Sequence, residues 1–159
     1  MIRVGILTVS TKGAAGERKD GSGDAIAAWA KQHGYEIVAR ELVSDETAQI
    51  ARVLVSWADG GTMDLILTTG GTGLSARDVT PEATRAAITR DASGIADFVR
   101  AQSWAAFPRA ALSRGVAGVR GATLVVNLPG STGGVSDGLA ALDHIVPHAV
   151  QLLQGHTEH

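Results

Sequence analysis

Residues 64–84 read DLILTTGGTGLSARDVTPEAT, and the order of residue types in this segment decides the fold prediction. Asp64–Thr69 is short and mostly apolar, as in a strand that is covered on both faces. Three glycines follow within four residues. Thr80 is predicted to cap a helix whose first residue is Pro81. Proline is favoured at that first position because it has no N–H group to leave unpaired there. A strand, a glycine-rich turn and a helix in succession are typical of one unit of an α/β fold.

Strand and helix patterns alternate on both sides of this segment. The further strand patterns cover Arg3–Ser10, Tyr35–Val43 and Ala122–Pro129. The helix patterns cover Asp24–His33, Thr47–Asp59, Gly94–Ala105 and Val135–Leu153, with Pro147 expected to bend the last one. This order predicts a three-layer α/β fold, with a mostly parallel sheet and helices on both faces. No linker or repeat interrupts the pattern, so residues 1–159 are predicted to form a single domain.

Composition narrows the range of partners and compartments. Hydrophobic residues make up 45% of the chain, aromatic residues only 4%, and the net charge is -2 without a basic cluster. A nucleic-acid-binding protein needs a basic face, so no nucleic-acid partner is expected. The chain has no cysteine, which excludes disulfides and thiolate metal sites. No apolar run reaches the length of a signal peptide or a membrane span, so a cytoplasmic protein without a membrane partner is predicted.

The glycine-rich loop at 70–73 has two interpretations. Gly70, Gly71 and Gly73 lack Cβ atoms, so the backbone there can present N–H groups to one anion at close range. Glycines after a strand also simply make a sharp turn. The sequence GGTG matches neither the dinucleotide fingerprint nor the P-loop motif, so any nucleotide must bind in another way.

Asp45 and Asp78 follow the second and third predicted strands. Because ligands in such folds lie beyond the carboxyl ends of the strands, both side chains are expected to face one crevice. Two carboxylates beside a phosphate site suit Mg²⁺, which prefers oxygen ligands. Each aspartate also precedes a predicted helix, so capping is the alternative for both.

Other loop residues allow a ligand role or a structural one. Asp20, Ser22 and Gly23 are placed in a loop, where they could form a plain Asx turn. Ser113 and Arg114 offer a hydroxyl and a guanidinium for an anion, although a surface arginine is more often only solvated. Two further features are interpreted without a ligand. His144 and His148 lack the pattern of a metal site, and Trp29 and Trp57 fall on apolar helix faces and are predicted to lie in the core.

Three segments together carry a resemblance to a known family. The segment TTGGTGLSARDVTPEAT resembles the signature of the MogA/MoaB molybdopterin-binding family, which includes the G domain of gephyrin. Residues 111–134, ALSRGVAGVRGATLVVNLPGSTGG, are similar to the second signature of that family, and TVSTKGAAGERKDGSG is similar to its N-terminal loop. The resemblance covers nearly the whole chain in the expected order.

The resemblance implies a function and a set of site residues. It implies a homotrimeric molybdopterin adenylyltransferase that uses ATP and Mg²⁺, releases pyrophosphate and contacts a molybdenum-insertion protein. The two important aspartates of the family match Asp45 and Asp78, which are the expected catalytic and metal residues. The expected contacts to nucleotide and pterin are Ser10, Asp20, Ser22, Gly23, Gly70, Gly71, Thr72, Gly73, Ser113, Arg114, Pro129, Gly130 and Ser131.

A second function stays open on the same residues. The turn LPGST resembles MoaB-type members as much as MogA-type ones, whereas the pair Arg77–Asp78 is closer to MogA-like sequences. The alternative is therefore a MoaB-like protein that binds molybdopterin, or acts as a scaffold, without turnover. Reuse of the fold for another phosphorylated ligand is a third interpretation.

Overall fold

The computed structural model describes residues 1–157 and contains one six-stranded sheet. The strands are β1 (Arg3–Val9), β2 (Glu36–Val43), β3 (Leu65–Thr69), β4 (Arg90–Asp91), β5 (Ala117–Arg120) and β6 (Thr123–Leu128). Their order across the sheet is β2-β1-β3-β6-β5-β4. The neighbouring strands β2, β1, β3 and β6 pair in parallel, and β5 pairs antiparallel with both β6 and β4. The prediction of a mostly parallel sheet is confirmed.

Helices cover both faces of this sheet. They are α1 (Thr11–Ala14), α2 (Gly21–Gln32), α3 (Thr47–Asp59), α4 (Thr80–Ala87), α5 (Ser93–Trp104), α6 (Thr132–Leu142) and α7 (Val146–Leu153), with a 3-10 helix at Pro108–Leu112. One core contains residues of α2, α5, α6 and α7, and the second contains residues of α3 and α4. The predicted three-layer α/β architecture is confirmed.

Alternation along β3 explains how one strand contributes to both cores. Leu65 and Leu67 lie in the core with α2, whereas Ile66 lies in the core with α3. Successive side chains of a strand point to opposite faces, and a strand covered on both sides therefore needs apolar residues at every position. All five residues of β3 are buried. Trp29 is buried in the first core and Trp57 packs against the second, as predicted.

Several predicted element bounds are wrong. Helix α2 begins at Gly21, so Ser22 and Gly23 lie in its first turn and not in a loop. The predicted helix over 135–153 is two helices, and Pro147 lies in the first turn of α7 because a proline fits there without losing a hydrogen bond. Strands β4 and β5 and the short helix α1 have too few residues to show a periodic pattern and were not predicted.

The predicted capping role of Thr80 is also wrong. Helix α4 starts at Thr80 itself, and its N-cap residue Val79 makes no side-chain cap. The Thr80 hydroxyl instead donates to the Gly70 carbonyl at 2.9 Å, and the Thr80 N–H donates to the Gly71 carbonyl at 3.1 Å. Thr80 therefore fixes the glycine-rich loop to the start of the helix. Within residues 1–157, no helix is both long and apolar enough to cross a membrane.

Candidate functional site

The carboxyl ends of three neighbouring parallel strands meet at one edge of the sheet. Strand β3 lies between β1 and β6, and the chain leaves all three at this edge. The Gly70 N–H donates to the Leu128 carbonyl at 3.2 Å, and the Thr69 hydroxyl donates to the Pro129 carbonyl at 2.5 Å. These bonds join the glycine-rich loop to the turn after β6, which is the arrangement in which open α/β sheets bind ligands.

Gly70 and Gly71 occupy backbone positions that other residues cannot adopt without strain. Their φ angles are +96° and +69°. A Cβ on Gly70 would overlap the Val9 carbonyl oxygen. A Cβ on Gly71 would overlap the Thr80 hydroxyl oxygen and lie 3.3 Å from Asp45 Oδ1. The loop is therefore both a sharp turn and a place where polar groups come close to bare backbone.

The two aspartates are half-buried beside this loop, and neither caps a helix. Asp45 Oδ2 accepts hydrogen bonds from the Thr11 N–H at 3.1 Å and the Thr11 hydroxyl at 2.8 Å. Asp78 Oδ2 accepts from the Ser75 N–H at 3.0 Å. The N-cap residues of α3 and α4 are Glu46 and Val79, so the capping alternative is wrong for both aspartates.

Both carboxylates line a cavity of about 410 Å³, which we call the polar cavity. Its walls carry hydroxyls, carboxylates, cations and exposed backbone. The residues that define it include Thr8, Ser10, Arg18, Lys19, Asp20, Ser22, Asp45, Gly70, Gly71, Asp78 and Gly130. The prediction that Asp45 and Asp78 face one crevice is therefore confirmed.

A second cavity of about 640 Å³, the apolar cavity, opens on the other side of the glycine-rich loop. It lies between α5, the 3-10 helix and the start of α6. The residues that define it include Thr72, Gly73, Val99, Ser103, Phe107, Leu112, Ser113, Pro129, Ser131 and Asp137. Gly71, Asp78 and Gly130 line both cavities. A ligand could therefore extend from one cavity into the other past Asp78.

Three candidate residues act as helix caps at the rims of these cavities. Asp20 accepts the Gly23 N–H at 3.0 Å at the start of α2, and it also accepts from the Thr8 hydroxyl and from Arg40. Asp20 is therefore the N-cap residue of α2, and not the plain Asx turn of the sequence prediction, in which the side chain accepts the N–H two residues on. Ser10 caps α1 and Ser131 caps α6 in the same way. Their hydroxyls line the cavities while each accepts a backbone N–H.

Arg114 lies behind the glycine-rich loop and lines neither the polar nor the apolar cavity. Its guanidinium donates to the carbonyls of Gly73 at 2.8 Å and Asp78 at 2.7 Å, and to Glu82 at 2.7 and 3.1 Å. The hydrogen bond from Arg114 lowers the pKa of Glu82, and the same bond raises the pKa of Arg114. The arginine therefore holds the loop and Asp78 in place. Its neighbour Ser113 does line the apolar cavity.

The carboxylate pair fits the magnesium ion that the family resemblance implies. Within residues 1–157, Oδ1 of Asp45 and Oδ1 of Asp78 accept no hydrogen bond, so each aspartate keeps one oxygen for a ligand. Mg²⁺ takes one or two carboxylates and completes its shell with phosphate and water oxygens. The same residues contain no group of three or more acidic, histidine or cysteine side chains that could hold a metal.

The walls from α5 and α6 were not anticipated from the sequence. Ser103 and Asp137 line the apolar cavity, and the Ser103 hydroxyl donates to Asp137 Oδ2 at 2.6 Å. The two residues are 34 positions apart, and neither lies in a glycine-rich loop. The only sequence signal is a polar serine on the apolar face of a predicted helix, four residues after Val99.

The fold and this crevice define an α/β domain whose ligand site lies at the carboxyl edge of a mostly parallel sheet. The chain belongs to the molybdopterin-binding domain family: the family model described as "Probable molybdopterin binding domain" matches residues 5–148.

Two curated relatives and one solved structure illustrate this membership. The molybdopterin adenylyltransferase of Helicobacter pylori strain J99 is 35% identical over 156 residues, which is 97% of this chain and 89% of that enzyme. The molybdenum cofactor synthesis protein cinnamon of Drosophila melanogaster is 37% identical over 96% of this chain, but the match spans only 26% of cinnamon. The crystal structure of the molybdopterin biosynthesis enzyme MoaB from Thermus thermophilus superposes with a TM-score of 0.92 at 52% identity, and the match covers 98% of each chain.

Proposed function

We propose that the protein is a molybdopterin adenylyltransferase of molybdenum cofactor biosynthesis. In this reaction the terminal phosphate of molybdopterin attacks the α-phosphorus of ATP, and pyrophosphate leaves. The observation that carries the proposal is that Asp45 and Asp78 flank the Gly70–Gly71 turn in a polar cavity that adjoins a larger apolar one. The polar cavity can hold phosphates, and the apolar cavity has room for a flat ring.

The residues supply positioning and charge rather than a nucleophile. Phosphoryl-type transfers depend on aligned reactants and on stabilised oxygen charge, so no covalent protein intermediate is needed. The glycine-rich loop can bring backbone N–H groups close to phosphate oxygens. Asp45 and Asp78 would hold Mg²⁺, which offsets negative charge on the triphosphate when it is bound. The cations Arg18 and Lys19 at the rim of the polar cavity favour the approach of ATP.

The turnover assay measures pyrophosphate release from ATP and molybdopterin, with and without Mg²⁺. We expect turnover that requires the metal, and a loss of at least about a hundredfold in Asp45→Asn and in Asp78→Asn, because each removes a charged metal ligand. Asp91→Asn is the matched control, since Asp91 is an exposed aspartate that lines neither cavity. Near-normal turnover in both site variants would refute the assignment.

The second candidate is a MoaB-like protein that binds molybdopterin without turnover. The 52% identity to a structure described as MoaB favours it. The two candidates separate in the same assay, because only the enzyme forms adenylylated molybdopterin. Binding of molybdopterin without any product would support the second one.

The proposed assembly is a homotrimer that contacts a molybdenum-insertion protein in the cytoplasm. Large apolar side chains exposed on α5 support an association surface: Phe98 is 37% exposed and Trp104 is 47% exposed. Light scattering would give the assembly mass directly, and a particle of one 16.3 kDa chain would contradict the trimer.

A further inference from the structure

The carboxylate of Asp45 is held by Thr11, a residue that lies outside the polar cavity. Thr11 follows β1 and Asp45 follows β2, and the hydrogen bond from the Ser10 N–H to the Val43 carbonyl at 2.8 Å joins the ends of these neighbouring strands. Thr11 is the first residue of α1 and lines neither the polar nor the apolar cavity, whereas Asp45 lines the polar one. Any effect of Thr11 on a ligand therefore acts through Asp45.

Three hydrogen bonds fix the carboxylate of Asp45 relative to Thr11. Oδ2 of Asp45 accepts from the Thr11 N–H at 3.1 Å and from the Thr11 hydroxyl at 2.8 Å. The same hydroxyl accepts from the Asp45 N–H at 3.1 Å. The hydroxyl therefore uses its proton and one lone pair on the same partner, which determines its orientation.

These bonds make the two oxygens of Asp45 unequal. An ionised carboxylate oxygen has two acceptor positions, and Thr11 fills both positions of Oδ2. Across residues 1–157, no group donates to Oδ1, and a Cβ on Gly71 would lie 3.3 Å from this atom. Oδ1 therefore lies beside the glycine-rich loop and is the oxygen of Asp45 with both acceptor positions open.

We propose that Thr11 is a positioning residue that limits Asp45 to one oxygen towards a divalent cation and thereby favours Mg²⁺ over Ca²⁺. This inference rests on the proposed function and deepens it, because it names the residue that sets the metal preference of the same site. Mg²⁺ demands a near-ideal octahedral shell and keeps several waters, whereas the larger Ca²⁺ accepts a carboxylate through one oxygen or both. A carboxylate whose second oxygen is already occupied suits the smaller ion.

Removal of the Thr11 hydroxyl should change the metal preference of the site. In Thr11→Val, Oδ2 of Asp45 keeps only the N–H donor and regains one acceptor position, and the Asp45 N–H loses its acceptor. The carboxylate can then turn and offer both oxygens to a cation. Thr11→Ala removes the same hydroxyl and should behave like Thr11→Val, whereas Thr11→Ser keeps both donors and should behave like the unmodified protein.

The experiment measures ATP binding by calorimetry, without molybdopterin, in EDTA, in Mg²⁺ and in Ca²⁺. The affinity in each metal, divided by the affinity in EDTA, gives the tightening due to that metal. In the unmodified protein, Mg²⁺ should tighten ATP binding more than Ca²⁺ does. Thr11→Val should lose about tenfold of the tightening by Mg²⁺, the effect expected when a group that orients a metal ligand is removed, and should lose the preference for Mg²⁺.

The matched control is Thr62→Val, which makes the same chemical change at an exposed threonine that lines neither cavity. It should keep the tightening by both metals. Circular dichroism reports whether each variant is folded. A merely structural role for Thr11 would weaken ATP binding equally in all three solutions, and that result would overturn the proposal.

The remaining outcomes are equally decisive. An unchanged preference in Thr11→Val and Thr11→Ala, a lost preference in Thr11→Ser, or no tightening by Mg²⁺ in the unmodified protein would each overturn the proposal. Pyrophosphate release is measured separately. A preference for Mg²⁺ that depends on the Thr11 hydroxyl, without turnover, would contradict the proposed enzyme alone. Turnover with a metal preference that Thr11→Val leaves unchanged would contradict this inference alone.

Discussion

Gly71 lines both cavities of the candidate site, and its backbone conformation restricts which residue can stand there. Its φ angle is +69°, and a Cβ there would overlap the Thr80 hydroxyl oxygen. That hydroxyl donates to the Gly70 carbonyl, so any displacement of Thr80 also changes the loop. Gly61 has a similar φ of +71°, but a Cβ there would meet no other atom within 4 Å. An alanine would therefore be strained by the positive φ at both positions, but its Cβ would clash with another residue only at position 71.

Gly71→Ala should destabilise the protein more than Gly61→Ala. A left-handed alanine costs roughly 1–2 kcal/mol in each variant, and only Gly71→Ala adds the overlap with Thr80. We expect Gly71→Ala also to lose ATP binding, while Gly61→Ala keeps it. Denaturant unfolding and nucleotide titration measure the two effects. Equal free energies of unfolding for the two variants would contradict the steric argument.

Arg114 should act on the site through position rather than through contact. Arg114→Ala removes the hydrogen bonds to Gly73 and Asp78, and Glu82→Gln weakens the ion pair that orients the arginine. We expect both variants to require more Mg²⁺ for half-maximal turnover, with a shift of about tenfold for Arg114→Ala.

Arg85→Ala is the control for this prediction, since Arg85 approaches Glu82 only at 3.8 Å and is 57% exposed. If Arg114 bound substrate directly, Glu82→Gln would leave the magnesium requirement unchanged and Arg114→Ala would raise the KM for ATP or molybdopterin instead.

At the scale of elements, the capped amino end of helix α2 forms part of the wall of the polar cavity. Gly21 and Ser22, in its first turn, line the cavity, and Asp20 accepts the Gly23 N–H. Arg40 on β2 holds Asp20 at 3.0 Å and the exposed Asp24 at 2.7 Å. The cap thus positions the amino end of the helix against the cavity.

Asp20→Ala should lower the free energy of unfolding by about 1–2 kcal/mol, because the first turn loses its side-chain acceptor. Asp20→Ser keeps an oxygen for that N–H and should lose less. Asp24→Ala removes the other ion pair of Arg40 without touching the cap, and an exposed pair contributes at most about 1 kcal/mol. Thermal unfolding of the three variants ranks them, and a larger loss in Asp24→Ala than in Asp20→Ala would refute the capping argument.

Elements with strong local patterns were predictable, and short ones were not. Helix α3 has the predicted bounds because apolar residues recur at helical spacing between Thr47 and a glycine stop. Strand β4 has two residues, and its place at the sheet edge comes only from pairing with β5. Likewise, local chemistry marks Asp45, Asp78 and the glycines as candidates in the sequence, whereas Ser103 and Asp137 meet only through the packing of α5 on α6.

At the scale of the whole molecule, Asp64 links Arg3, the first residue of β1, to Gln154, which follows α7. Its side chain is 4% exposed and accepts from the Arg3 N–H, from the Arg3 guanidinium and from Gln154. Burial raises the pKa of this carboxyl, but the hydrogen bonds from Arg3 outweigh it, so the pKa lies below its ordinary value of 3.8. Because the pKa of Asp64 is lower in the folded state, the ionised carboxylate stabilises that state at pH values above 3.8. This stabilisation is lost as the pH falls through the pKa of the folded state.

Asp64→Asn should therefore lower the free energy of unfolding at neutral pH by about 1.5–3 kcal/mol, the range for hydrogen bonds to a charged group. The difference from the unmodified protein should shrink as the pH falls below 3.8, where the unmodified protein loses the same contribution. Unfolding in urea across a pH series measures this. Asp91→Asn is the control, and a difference that is independent of pH would contradict the linkage.

Gly71, Asp78 and Gly130 form a partition between the two cavities, and glycine makes up two of its three residues. Under the proposed function, two cavities that share these residues suit a two-headed inhibitor, with a pterin at one end, a nucleoside at the other and a short phosphate chain crossing between them. Joining the two heads makes the second association intramolecular, so such a compound should bind more tightly than either half by orders of magnitude, provided that the linker spans the partition without strain.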